Sequence, residues 1–203
     1  MRFMSVLLQV VFFLAVVWAS LLAAGLISND LPWSDPPGAG TRLLTYLSTN
    51  VAETTPDSAF PELRPRTYAA PAALMFDVAR RAADALHWES STVDPEARKI
   101  EAVVTTRIIK FKDDVTIWVE ADGDERSTLF ARSASRVGLN DLGANTRHLM
   151  NLFETVAIIA PVTAIVDKEE AAEEGVTEES QTSPKAILTE SDSRPATEDP
   201  SQE

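Results

Sequence analysis

The longest hydrophobic run of the chain lies at its N-terminus. No charged residue occurs between Arg2 and Asp30, and this run exceeds the about 20 apolar residues that a helix needs to cross the hydrocarbon core of a bilayer. A cleaved signal peptide is the alternative, but its apolar region usually spans only about 7–15 residues behind a more basic start. The pattern therefore favours an uncleaved transmembrane anchor over residues 1–29, while small residues such as Ala23 keep cleavage open.

The charges that flank this run predict its orientation. Arg2 and the α-amino group precede it, whereas Asp30 and Asp35 follow it. Because cytoplasmic flanks are enriched in Lys and Arg, we expect the N-terminus in the cytoplasm and the remainder of the chain in the periplasm or an equivalent space. Arg42 opposes this bias. The first expected partner is thus the lipid bilayer.

Residues 30–55 are expected to join the anchor to a folded domain. Their first part contains three prolines and two glycines, which is typical of a stiff, non-helical exit. Trp33 fits either the headgroup layer or the domain surface. Leu43, Leu44 and Leu47 then recur at helical spacing, on a short amphipathic segment for which lying on the membrane and folding onto the domain are both open.

Periodicity over residues 56–166 predicts one domain. Its predicted elements are a helix over 72–86, strands that begin at Trp88 and span 99–108, 114–121 and 126–136, and a helix from Asn140 or Asp141. The pair Asp122-Gly123 is typical of a tight hairpin. Sequential strands joined by short turns indicate a four-stranded antiparallel meander, so the expected fold class is α+β, two-layer, with both helices on one face.

Charge is unevenly distributed and excludes several functions. The chain carries a net charge of -13, and residues 167–203 hold three basic against twelve acidic residues, so the remainder carries only -4. This acidic tail is predicted to be disordered. The remainder has no basic excess to neutralise phosphates, so we expect no nucleic-acid partner. The chain has no cysteine, which excludes a disulfide, a Cys-based zinc site and a thiol nucleophile.

No catalytic, cofactor or metal site is predicted. His87 and His148 lack the partners of a metal motif, and we interpret both as surface or half-buried side chains. The pair Asp113-Asp114 and the acidic hairpin 122–125 lack calcium-loop spacing, and we interpret them as turn residues on a solvated face. No phosphate loop or nucleophile elbow is present, so we expect a protein that is not an enzyme.

A polar cluster is predicted where the last strand meets the second helix. Ser133 and Ser135 fall on the core side of the strand, Asn145 falls in the apolar helix stripe, and Arg136 and Asp141 bracket the loop between them. Such groups need partners, because a stranded buried one costs about 1–3 kcal/mol. They either lock helix to sheet, with Arg136 and Asp141 pairing across the loop, or form a small pocket in which Arg136 contacts an anion.

The outer face of the sheet carries three unexpected apolar residues, Val103, Trp118 and Phe130. Trp118 and Phe130 lie on adjacent predicted strands, so we expect cross-strand neighbours. Aromatic clusters among charges mark sites for a protein partner. The alternative is that the chain's own proline-rich arm, residues 56–70, covers them.

Three segments carry a resemblance to a known family. Residues 60–66 (FPELRPR), 112–115 (KDDV) and above all 132–145 (RSASRVGLNDLGAN) make the chain, over about residues 43–153, similar to the domain of unknown function family 1499. The resemblance implies a protein that is often membrane-associated or exported, with no assigned reaction. The acidic tail departs from the family's core.

These observations predict a single-span membrane protein whose domain acts as a non-catalytic binding or assembly module. The alternative function is binding of a small ligand or lipid in a cavity between the helices and the sheet. The alanine-rich first domain helix allows either close packing or such a void.

Overall fold

The computed structural model describes residues 2–106 and 110–160, and its first element is the apolar helix α1, Arg2–Ser28. Residues Phe3–Ser28 of α1 are long and apolar enough to cross a membrane, and none of them is buried against the rest of the chain. A signal sequence near an N-terminus can meet the same criteria of length and composition. The predicted acidic tail, 167–203, lies outside the described residues, as does Ile108.

Nine further elements and one 3-10 helix are described after α1. In chain order they are α2 (Ala39–Ser48), β1 (Val51–Glu53), a 3-10 helix (Pro61–Leu63), β2 (Arg66–Tyr68), α3 (Ala72–Ala85), β3 (Glu89–Asp94), β4 (Lys99–Thr105), β5 (Lys112–Ala121), β6 (Ser127–Ser135) and α4 (Ala144–Ile159).

Strands β3 to β6 form the predicted antiparallel meander, in the spatial order β6-β5-β4-β3. The two short strands β1 and β2 were not predicted, and both pair antiparallel with the other edge of β6. Each has three residues, which is too short for a period-two pattern to stand out. The sheet therefore has six strands, and β1 extends it into the segment expected to be a linker.

Helices α3 and α4 pack side by side on one face of the sheet, which confirms the α+β, two-layer class. The apolar positions Met75, Val78 and Ala82 of α3 are buried, whereas the opposite face carries the ion pairs of Arg80 and Arg81 with Asp77. Ala79, Ala82 and Ala83 are fully buried. The slim alanine face thus serves close packing of α3 in the core.

The start of α4 differs from the prediction by a few residues. The helix begins at Ala144 because Gly143 adopts a left-handed φ of 84° and Leu142 a φ of 54°. The Asp141 carboxylate accepts hydrogen bonds from the backbone N–H groups of Gly143 and Asn145, both at 2.9 Å. Asp141 therefore caps the helix, as its carboxylate suits, from a position three residues ahead of the first helical residue.

Candidate functional site

The segment that leaves α1 packs against the domain at one end of the sheet. Leu31 is buried, the Asn29 side-chain amide donates to the Leu142 carbonyl oxygen at 2.9 Å, and Arg147 pairs with Asp30. A Cβ at Gly143 would collide with the Leu31 side chain. The exit from α1 is thus fixed in place by side chains of the domain.

Helix α2 packs onto the domain through two polar side chains and not through its leucines. Arg42 and Tyr46 are the buried residues of α2, whereas Leu44 is 71% exposed. The ring of Trp33 packs edge-on against Tyr46, with a centroid distance of 5.6 Å. Trp33 therefore packs against the domain, and the leucine face of α2 is left uncovered.

Arg42 forms the centre of a buried ion pair in which all its donors are used. Nη1 donates to Glu62 Oε1 and to the Tyr46 hydroxyl (3.0 Å), and Nη2 donates to Glu62 Oε2 (3.0 Å) and the Pro36 carbonyl (2.5 Å). Nε donates to the Asp35 carbonyl at 3.1 Å. Burial lowers the pKa of Arg42, but the hydrogen bonds and charge of Glu62 outweigh it and raise that pKa above its ordinary value.

Sequence reasoning missed this ion pair. Arg42 and Tyr46 stand four residues apart, so a helix places them on one face, which was the available signal. Glu62 lies in a segment that carries the family resemblance, yet no local pattern links it to a cation twenty residues earlier. The 3-10 helix presents Glu62 to Arg42, and the neighbouring Phe60 ring lies 5.1 Å from the guanidinium carbon.

The predicted polar cluster joins β6, α4 and the segment before β1. Ser133 Oγ donates to Asn145 Oδ1 at 2.5 Å, and Asn145 Nδ2 donates to Ser135 Oγ (3.0 Å) and to the Asn50 carbonyl oxygen (2.8 Å). Ser133 and Asn145 are fully buried. The three residues therefore lock helix to sheet, and they also hold residue 50, immediately after α2.

Two further residues, which were not predicted here, complete this cluster. His148 Nδ1 lies 3.2 Å from Ser133 Oγ and 3.8 Å from Asp113 Oδ2. Asp113 is only 2% exposed, and its Oδ2 has no hydrogen-bond partner among the described residues. The interpretation of Asp113 as a solvated turn residue is wrong, because β5 begins at Lys112 and alternation places Asp113 on the core face with Val115.

The geometry of this cluster differs from that of a hydrolytic triad. In a hydrolytic triad the serine and the carboxylate contact opposite ring nitrogens of the histidine, whereas here Ser133 and Asp113 both approach Nδ1 of His148. Ser133 is fully buried and directs its proton to Asn145. Burial lowers the pKa of His148 although the charges of Asp113 and Asp141 oppose that shift. Within residues 2–106 and 110–160, no set of three His or acidic residues is placed to hold a metal ion.

Arg136 does not belong to the cluster. Its guanidinium pairs in bidentate geometry with Asp114, at 2.6–3.0 Å, on the exposed side of the sheet. The expectation that Arg136 pairs with Asp141 is wrong, because Asp141 accepts backbone N–H groups at the start of α4. The pairing with Asp114 lowers the pKa of that carboxyl group.

The outer face of the sheet brings together two of its three candidate residues. Trp118 and Phe130 are register partners on β5 and β6, and their rings stack 5.3 Å apart at an interplanar angle of 8°. Val103 instead lies opposite Asp114. The intervening cross-strand row contains Glu101, Thr116 and Arg132.

The proline-rich arm, residues 56–70, lies at the edge of the sheet and on the helix side. Its β2 segment pairs with β6, and the Arg66 guanidinium lies 5.4 Å from the centroid of the Phe153 ring in α4. Thr67 Oγ1 also lies 3.0 Å from Thr128 Oγ1, on the face of β6 that carries Phe130. The arm thus lines the edge of the sheet beside the half-buried aromatic pair.

Comparison with known proteins gives one family. The model of the family described as protein of unknown function (DUF1499) matches residues 41–156, more than half of the chain, and confirms the resemblance. No curated protein matches the chain.

Proposed function

The chain belongs to the DUF1499 family, and we propose that it acts as a membrane-anchored, non-catalytic binding module whose domain is held in a fixed position on its anchor. The observation that carries this proposal is the packing of the anchor exit. Leu31 is buried beside Gly143, and Asn29 bonds to the Leu142 carbonyl. A flexible tether would leave the orientation of the domain free, whereas these contacts support one fixed orientation of the domain relative to α1.

The partner in this proposal binds the outer face of the sheet. Trp118 and Phe130 are only half buried although they are large and stacked on each other. Aromatic residues are enriched at the energetically dominant positions of protein interfaces. Charged neighbours such as Arg132, which pairs with Glu53, provide a polar rim around this pair.

The anchoring part of the proposal is tested by fractionation and protease protection. The full chain should remain in the membrane pellet after alkaline carbonate extraction, and its mass should still include residues 1–29. Protease should digest the domain in right-side-out vesicles and spare it in inverted ones. A released chain that has lost its N-terminal segment would show a signal peptide instead, and the opposite protection pattern would reverse the orientation.

The binding part is tested by co-purification from detergent-solubilised membranes. The double variant Trp118→Ala and Phe130→Ala should lose the partner yet keep a cooperative unfolding transition. The matched control Leu74→Ala with Val93→Ala removes two apolar side chains that are also partly exposed, and it should keep the partner. Retention of every co-purifying protein by the aromatic double variant would contradict the use of this face.

A second candidate function is binding of a small polar ligand or a lipid beside the polar cluster. Its supporting observation is Asp113 Oδ2, a buried carboxylate oxygen without a hydrogen-bond partner in the described part of the chain. Buried polar atoms are normally paired. Mass spectrometry of small molecules released from the purified chain separates the two functions, because a specific ligand should be present in the wild type and lost from Asp113→Leu.

A further inference from the structure

We propose that the anchored end of the sheet is seated in the interfacial layer of the bilayer. The seat is an uncovered apolar surface, here called the interfacial surface, formed by Leu43, Leu44 and Leu47 of α2 and by Val137 and Leu139 of the loop before α4. This inference rests on the proposed function, because it requires α1 to remain in the membrane.

The contacts of α1 indicate the depth of the loop before α4 relative to the bilayer. A Cβ at Gly25 would lie 2.5 Å from Leu142 Cδ1, so Leu142 touches the last turn of α1. Gly25 precedes the end of α1 at Ser28 by three residues, or about 4.5 Å along a helix that rises 1.5 Å per residue. Because Gly25 still belongs to the uncharged apolar run, the loop that carries Leu142 must lie where α1 leaves the hydrocarbon.

The exposed residues of this loop are apolar where a soluble protein would place polar ones. Leu139 is 89% exposed and Val137 is 62% exposed. Loops of soluble domains normally carry polar residues on the surface, whereas a segment inserted at the headgroup boundary gains from apolar side chains. Full exposure of Leu139 is therefore explained by a position against lipid.

Helix α2 continues the same surface. The backbone N–H of Leu142 donates to the Tyr46 carbonyl at 3.2 Å, and the Asn50 side chain donates to the Gly138 carbonyl at 2.8 Å. These bonds join the C-terminal half of α2 to the loop. Since Arg42 and Tyr46 face the domain, the leucines face away from it. Apolar positions on one side of a short helix are the pattern of helices that lie in the membrane interface.

The two ends of the sheet differ in polarity, as expected if only one of them lies at the bilayer. The turns at the far end, 94–98 and 122–126, hold seven charged residues between them and no large apolar one. At the anchored end, Phe111 is 45% exposed between Lys110 and Lys112. Lysines can bury their aliphatic stems along apolar surface while their ammonium groups reach the headgroups. The polarity of the ends therefore matches one end at the bilayer and the other in water.

The absence of cysteine from the chain makes a direct test possible. Single cysteines are placed in the full chain at Leu139, Leu44, Leu14 and Asp124, labelled with an environment-sensitive fluorophore, and reconstituted in vesicles of phosphatidylethanolamine and phosphatidylglycerol. Leu14→Cys reports insertion of α1. Asp124→Cys reports the far hairpin, which lies beyond a nine-residue β6 of roughly 27 Å at about 3.4 Å per residue.

Labels at Leu139 and Leu44 should be quenched by brominated acyl chains and should lose quenching by aqueous iodide, as the Leu14 label does. The Asp124 label should show the reverse. If the Leu14 label is shielded but the Leu139 and Leu44 labels remain open to iodide, the interfacial surface is free in water or reserved for a protein, and this inference is overturned alone. If the Leu14 label is also open to iodide, anchoring itself fails and both proposals fall.

Discussion

Two buried polar assemblies flank the segment that follows α1, and they satisfy their buried polar groups in different ways. In the first, the Arg42 guanidinium forms an ion pair with Glu62, and every N–H of the guanidinium has an acceptor. In the second, neutral groups do most of the bonding around Asn145, while one carboxylate oxygen of Asp113 has no partner among the described residues.

The two assemblies should differ in how much stability is lost when one partner is removed. A buried ion pair is strongly destabilised by loss of one partner, because the other charge is left uncompensated. A neutral network loses less per member but rigidifies the contact when it is fully satisfied. Loss of one partner should therefore cost more stability in the first assembly than in the second. The second contains His148, the group through which we expect stability to depend on pH.

The largest expected effect comes from breaking the first assembly. Arg42→Met should lower the free energy of unfolding by about 3–5 kcal/mol, because Glu62 is left buried and unpaired. Urea unfolding of the full chain in detergent measures this loss. The double variant Arg42→Met with Glu62→Leu should recover most of it, since no charge is then stranded. The control Arg80→Met, which breaks exposed pairs with Asp77 and Asp84, should change little. If Arg42→Met and Arg80→Met lowered the free energy of unfolding equally, burial of the Arg42 pair would not explain the effect.

The packing of Leu31 against Gly143 is tested by substitution of the glycine. Gly143→Ala should cost about 1–2 kcal/mol for a left-handed backbone and about 1–3 kcal/mol more for the collision with Leu31. Gly123→Ala is the matched control, because its φ is also positive at 75° while nothing lies near its Cβ. Equal midpoints of denaturation for the two variants would show that Leu31 is not packed there. The loss in the double variant Leu31→Ala with Gly143→Ala should be smaller than the sum of the two single losses, whereas the losses of Leu31→Ala and Gly123→Ala should add.

The second assembly is tested at Asn145. Asn145→Leu should lower the free energy of unfolding by about 1–3 kcal/mol, because Ser133, Ser135 and the Asn50 carbonyl lose a partner. Asn151→Leu, a half-buried position of the same helix, is the control and should cost less. An unchanged denaturation midpoint for Asn145→Leu would mean that the network contributes nothing to the attachment of α4.

The smallest expected effect is a dependence of stability on pH that arises from His148. Burial holds the pKa of His148 below its ordinary value of 6.5, so the unfolded chain takes up this proton at a higher pH than the folded chain. The free energy of unfolding contributed by this group should therefore be constant above pH 6.5 and should fall as the pH drops below it.

Urea titrations at a series of pH values measure this dependence. His148→Gln should flatten the decline below pH 6.5, whereas His87→Gln, at an exposed position, should keep the wild-type profile. An identical decline in wild type and His148→Gln would assign the acid sensitivity to other groups.

Local sequence patterns were sufficient for the meander and its core. Alternation along β5 places Val115, Ile117 and Val119 inward, and the structure buries all three, because the pleat fixes side-chain direction with a period of two. The same rule extended two residues backwards would have placed Asp113 inward. The polar cluster of Ser133 and Asn145 was predictable for this reason, since strand and helix periodicity each aim one of them at the core.

The sequence by itself determined the apolar helix α1, the two-layer class and the inward side of each long strand. Only the tertiary structure decided the ion pair of Arg42 with Glu62. The same is true of the approach of Ser133 and Asp113 to His148. It also decided that Arg136 pairs with Asp114 and not with Asp141. The physical reason is that a sequence pattern reports on one helix or strand and not on contacts between elements that are distant along the chain. Periodicity is set by the geometry of one helix or strand, whereas a partner in another element is set by how the elements pack, and no local pattern encodes that arrangement.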